Sequence, residues 1–86
     1  MIKICVIGLG YVGLPICLKL SSTYNTVGFD INKKRVNSLQ NKIDDNDEYS
    51  KKDFLKKKIL FSNKINDIKN CNIFIICVPT PIKRSK

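Results

Sequence analysis

Residues 2–20 read IKICVIGLGYVGLPICLKL. Ile2 to Ile7 is rich in β-branched side chains and stops at Gly8, the pattern of a short buried strand. Gly8, Gly10 and Gly13 follow, and from Tyr11 to Ser22 the apolar Val12, Ile16 and Leu20 recur every fourth residue, which predicts a helix with that face inward. Pro15 falls in or near the first helical turn, where a missing N–H costs least. Strand, glycine turn and helix in that order suit a phosphate cradle. Gly8 permits the tight turn, Gly10 lets the backbone approach a pyrophosphate, and Gly13 lets the helix pack close on the strand. The negative charge would rest on free N–H groups around Tyr11 and Val12, where the helix dipole favours it.

Working outward, Thr26 to Ile31 is a second strand candidate that closes on Asp30, an acid placed beyond the glycines as a dinucleotide fold requires. Its carboxylate would accept the hydroxyls of an adenosine ribose and repel a 2′-phosphate, so NAD is expected over NADP. Asn32 can cap a helix whose Val36 and Leu39 share a face. Residues 42–49, KIDDNDEY, form a polar acidic loop, and Ser50 with Asp53 makes a capping box ahead of a lysine-rich helix carrying Phe54 and Leu55. Ile59 to Ser62 is a brief third strand, with Ile65 and Ile68 giving a short amphipathic turn after it. Ile73 to Val78 is apolar at every position, which suits a parallel strand covered on both faces better than an edge strand.

The alternation predicts an α/β fold: a partial Rossmann, doubly wound parallel sheet of four strands in the order 3-2-1-4 with helices between them. Residues 1–86 form one domain at most, with no linker, repeat or second-domain boundary. Two other readings fit parts of the pattern. Lys3 and the apolar run outline a secretory leader, but Gly8, Gly10, Gly13 and Pro15 interrupt it and no A-x-A cleavage site follows. A flavodoxin-like domain could use the same glycines only to shape a turn, with Asp30 as a helix-start charge. The agreement of strand, spacing and acid favours the cradle.

Sixteen Lys and Arg against seven Asp and Glu give a net charge of +9. All the basic residues except Lys3 and Lys19 lie after position 30, which suggests either solvated helix faces or an anionic partner. A small basic nucleic-acid-binding module is therefore an alternative function, although neither a recognised motif nor an aromatic platform supports it and no specific nucleic acid is expected. No stretch reaches the ~20 apolar residues of a membrane span, so no membrane partner is expected. Cys5, Cys17, Cys71 and Cys77 show no C-x-x-C pairing and there is no His, so the cysteines read as structural thiols in a reducing cytoplasm, with no metal site.

Three motifs together, G-x-G-Y-V-G-L-P at 8–15, D-x-N-x-x-R-V at 30–36 and V-P-T-P at 78–81, resemble the amino-terminal NAD-binding segment of the UDP-glucose/GDP-mannose dehydrogenase family. GLP, Asp44 with Glu48, and VPTPI look closest to its UDP-N-acetylhexosamine 6-dehydrogenase branch, which serves capsule and O-antigen precursor synthesis. The resemblance implies an NAD-dependent oxidoreductase that oxidises the C6 alcohol of a UDP-sugar to a carboxylate through a Cys-bound intermediate. It also implies that Gly8, Gly10, Tyr11, Val12 and Gly13 form the pyrophosphate loop and that Asp30 binds ribose. Arg35 matches a basic residue beside adenosine, and Val78 and Thr80 match the stretch lining the cofactor crevice. Members of the family run much longer, with a central dimerisation region and a carboxyl-terminal nucleotide-sugar domain. The 86 residues are accordingly expected to be a truncated cofactor segment that lacks the family's catalytic Cys, Lys and Asn. It would be inactive alone, would meet nucleotide sugar only in a full-length parent, and would be prone to self-association through an exposed strand edge.

Overall fold

A computed structural model describes residues 1–55 and 58–77. Its elements are β1 (Lys3–Ile7), α1 (Gly13–Leu20), β2 (Asn25–Phe29), α2 (Lys33–Gln40), α3 (Lys51–Leu55), β3 (Ile59–Ser62), a 3-10 turn (Ile65–Ile68) and β4 (Ile73–Ile76). The strands form one parallel sheet in the order β3-β2-β1-β4, as the alternation predicts. In β1 the period of two sends Ile4 and Val6 to one face and Cys5 and Ile7 to the other. Ile4 and Val6 meet Leu14, Cys17 and Leu18 of α1, Val36 and Leu39 of α2, Phe54 of α3 and Phe61 of β3. Cys5 joins Val27, Phe29, Ile68 and Cys71 on the opposite face, which the 3-10 turn covers. Steps from β1 to β2 to β3 thus cross over one face, and the step back to β4 crosses the other, the winding expected of right-handed connections.

Two details depart from the periodicity reading. The inward face of α1 is Leu14, Cys17 and Leu18, whereas Val12 is 64% exposed as the residue before the helix, and Ile16 and Leu20 sit at the rim of the core. The helix begins at Gly13, two residues later than the apolar pattern suggests, because the glycine turn extends through Val12; this rotates which residues meet the sheet. β4, expected to be covered on both faces, pairs among the described residues only with β1, and Ile73, Phe74 and Ile76 are 43%, 44% and 65% exposed. An all-apolar run fits a buried strand and an open edge equally well until the neighbouring strands are placed.

Gly28 adds a packing requirement that its sequence setting does not announce. A Cβ there would lie 2.8 Å from Phe61 Cδ1 and 3.1 Å from Cys17 Sγ, so a bare backbone in mid-strand lets α1 and Phe61 close over β2. At the carboxyl ends of the strands the ladder runs one residue further. Gly8 N–H donates to Phe29 O (2.8 Å), Asp30 N–H to Ser62 O (3.1 Å) and Cys77 N–H to Ile7 O (2.7 Å). That edge carries the glycine loop, and in open parallel sheets it is where ligands bind.

Candidate functional site

Gly8 leaves β1 with φ +97°, and a Cβ on it would fall 2.0 Å from Cys77 O, so only glycine fits the turn. Gly13 opens α1 against the same turn, where a Cβ would lie 1.6 Å from Gly8 O. Gly10 differs from both, with no heavy atom within 4 Å of its notional Cβ. The two outer glycines are therefore bound to the fold, while the middle one faces open space. Tyr11 and Val12 complete the turn with exposed side chains, and no side chain caps α1. Among the described residues no acceptor meets the N–H of Tyr11 or Val12. Uncapped N–H groups at a helix start, with clear space before them, fit an anionic ligand such as a pyrophosphate.

Asp30 stands one residue past β2. Its Oδ2 accepts the Leu9 N–H at 2.8 Å and its Oδ1 the Asn32 N–H at 2.9 Å. A carboxylate has about four acceptor positions, so each oxygen keeps capacity for a ribose hydroxyl. Asn32 caps α2 as its sequence position predicts, accepting the Arg35 N–H at 3.1 Å.

Arg35 is not a solvated helix charge like its exposed neighbours Lys33 and Lys34; only 8% of it is exposed. Its Nε donates to Leu9 O at 2.7 Å and its Nη1 to Asp44 Oδ1 at 2.8 Å, while Nη2 is buried with no partner among the described residues. Asp44, noted in the sequence only as part of a polar loop and, with Glu48, as a mark of the branch, is the partner of Arg35, a pairing the sequence reading did not foresee. It is buried, and besides Arg35 its carboxylate accepts the N–H groups of Asn46 (3.1 Å), Glu48 (2.8 Å) and Tyr49 (3.1 Å). Burial alone would push its carboxyl up, but the Arg35 guanidinium and these three N–H groups outweigh that and hold it below the ordinary carboxylate value. Charge and polarity alone do not separate Asp44 from Asp45 or Asp47 in the string DDNDE; its partners are set only once the loop closes.

Val78 and Thr80, the remaining expected crevice residues, lie outside the described residues. The four cysteines are free. Burial, reinforced by neighbouring thiols, pushes Cys5 and Cys17 up to about 12, so neither offers a thiolate nucleophile at neutral pH. No helix among the described residues is long and apolar enough to cross a membrane.

A parallel sheet in the order 3-2-1-4 with a glycine turn at its carboxyl edge and an acid after β2 defines a dinucleotide-binding domain of the Rossmann class. The chain belongs to the UDP-glucose/GDP-mannose dehydrogenase family, whose NAD binding domain matches residues 2–86. It is 45% identical to the UDP-N-acetyl-D-glucosamine 6-dehydrogenase of Salmonella typhi, over 99% of this chain and 20% of that protein. It is 43% identical to a UDP-N-acetyl-D-mannosamine dehydrogenase of Methanococcus maripaludis, over 92% and 19% respectively. Its fold superposes on the UDP-N-acetyl-mannosamine dehydrogenase Cap5O from Staphylococcus aureus with a TM-score of 0.77 at 29% identity, covering 96% of this chain and 21% of that one. The relatives thus fall in the UDP-N-acetylhexosamine branch, and the chain spans about a fifth of their length.

Proposed function

We propose that this chain supplies the adenosine and pyrophosphate half of the NAD site of a UDP-N-acetylhexosamine 6-dehydrogenase. The carrying observation is the contrast among the glycines: Gly8 and Gly13 are jammed against backbone, and Gly10 opens to clear space beside an uncapped helix start. The N–H groups around Tyr11 and Val12 bind the pyrophosphate, and Asp30 orients the ribose through its spare acceptor positions. When bound, NAD supplies a hydride acceptor for oxidation of the sugar C6 alcohol. The nucleotide sugar and the covalent chemistry belong to a whole enzyme of the relatives' length. Four free thiols suit a reducing cytoplasm, and the scattered lysines suit solvation better than a specific nucleic-acid partner.

Calorimetric titration of the 86-residue chain tests the reading. NAD and ADP-ribose should bind measurably and NADP much more weakly, because the Asp30 carboxylate repels a 2′-phosphate. Asp30→Ala should weaken NAD and narrow the gap to NADP. Equal affinity of the unaltered chain for NAD and NADP would refute the assignment of Asp30.

A further inference from the structure

The geometry points to Asp44 as a positioning residue for the pyrophosphate loop, acting through Arg35 on a single peptide plane. The inference rests on the reading of that loop as a phosphate cradle. Leu9, between the first two glycines, has both backbone polar groups tied to side chains from beyond β2: its N–H donates to Asp30 Oδ2 (2.8 Å) and its C=O accepts from Arg35 Nε (2.7 Å). Its side chain is fully buried, so the residue has no freedom to turn.

The Leu9 carbonyl and the Gly10 N–H share one planar trans peptide and point in opposite directions. Holding the carbonyl therefore aims the N–H. The Gly10 N–H has no acceptor among the described residues, and the space beside this residue is open, so it joins the N–H groups of Tyr11 and Val12 as a free donor of the loop. A glycine left to itself would let this plane rotate, because it tolerates more backbone conformations than any other residue. Arg35 removes that freedom, and Arg35 is held in turn by Asp44 at 2.8 Å. Asp44 is no flexible anchor, since three loop N–H groups fix its carboxylate. Asp44, Arg35, Leu9 O and Gly10 N–H thus form one chain of fixed groups, whose last member is a free donor of the glycine loop.

Charge and geometry make opposite predictions here, which makes the inference testable. Asp44 is an anion near a site for an anion, so on electrostatics alone its removal would tighten binding. If its work is positional, removal loosens binding instead. Asp44→Asn preserves size, removes the charge and places an amide where two acceptor oxygens stood. ADP-ribose affinity, measured by calorimetry, should fall about tenfold, the order expected for one misaligned hydrogen bond to a charged oxygen. Adenosine lacks the pyrophosphate, and its affinity by NMR titration should not change. A merely structural role would not single out the phosphate-bearing ligand.

Arg35→Lys is the second variant. It keeps the cation but gives up the planar fork that joins Leu9 O to Asp44, and it should weaken ADP-ribose by a similar factor; the adenosine control is read on the Asp44 variants alone, because Arg35 is itself expected beside adenosine. If Asp44→Asn does not fold by circular dichroism, Asp44→Glu, which keeps the charge but lengthens the side chain, is measured with the same two ligands and should show the same selective loss. When both fold, the double variant should lose no more than either single one, because the two residues act in series. Selective weakening of ADP-ribose supports the inference. Unchanged or tighter ADP-ribose binding in a folded variant, or equal loss for adenosine in an Asp44 variant, overturns it while leaving the cradle intact. An unaltered chain that binds neither NAD nor ADP-ribose overturns both.

Discussion

The glycine loop allows a paired test, because the same substitution should have opposite consequences at two positions three residues apart. In Gly13→Ala the new methyl carbon would start 1.6 Å from Gly8 O and 2.8 Å from Gly8 C, both backbone atoms that no rotamer change can move. Contacts under 3.0 Å are essentially unknown for real Cβ atoms, so α1 must retreat by at least 1.4 Å, the difference between 3.0 and 1.6 Å. A retreat of that size opens the contacts of Leu14, Cys17 and Leu18 with Ile4 and Val6. Overpacking of this kind costs about 3 kcal/mol at the upper end of its usual range. A domain of this length has a total stability of about 4–13 kcal/mol. The melting temperature should therefore fall by about 12 °C or more. Gly10→Ala meets nothing within 4 Å and its φ lies outside the left-handed region, so stability should stay within about 0.5 kcal/mol or rise slightly. Its methyl group nevertheless enters the space a pyrophosphate needs, and NAD affinity should drop about tenfold or more. Urea denaturation and calorimetry on the same preparations separate the two effects. A Gly10→Ala chain that keeps both its stability and its NAD affinity would refute the cradle; a Gly13→Ala chain as stable as the unaltered protein would refute the packing argument.

Two further outcomes follow from other parts of the molecule. The folded Asp44 carboxyl lies below its unfolded value, so its stabilising contribution is complete above the unfolded carboxylate range and is lost as pH falls through the folded value. Acidification below about pH 4 should accordingly lower the urea midpoint of the unaltered chain more than that of Asp44→Asn, and equal declines would remove Asp44 from the account. β4 presents exposed Ile73, Phe74 and Ile76 and pairs among the described residues only with β1, so the 86-residue chain should self-associate through that edge. Light scattering at rising concentration checks this, Ile76→Lys should suppress it, and a monodisperse monomer at high concentration would rule it out.

The strand that precedes the glycines, the acid after β2 and the Asn32 cap were legible because each depends on residues close in sequence, and the sheet order followed from the alternation of strands and helices with right-handed crossovers. A tight turn needs glycine locally, and a cap needs its acceptor three residues from its donor. The parts that were not legible depend on where a helix begins and on what closes over it. The apolar spacing of Val12, Ile16 and Leu20 is real, yet the turn runs through Val12 and α1 starts at Gly13, so Leu14, Cys17 and Leu18 face the sheet. Gly28 looks like any glycine in a strand until Phe61 and Cys17 arrive from two other elements. Arg35 carried an expected place beside adenosine through its motif, but its burial and its tie to Leu9 O come from tertiary closure.

That difference also explains why the motif alone specifies less than the loop requires. Glycines at 8, 10 and 13 permit the turn and the close approach, but permission is not orientation: a residue free to adopt many conformations cannot by itself aim an N–H group. The orientation comes from Leu9, the least remarked residue of the motif, whose N–H and C=O are held from opposite sides by Asp30 and Arg35. Both ties arrive from the segment just past β2, so a correctly formed cradle requires β2 paired beside β1. Removing one partner of the buried Arg35–Asp44 pair strands a charge, at a typical cost of about 3–5 kcal/mol. The acidic loop is therefore coupled to the phosphate loop although the two are far apart in sequence, and loss of the pair should disturb both together.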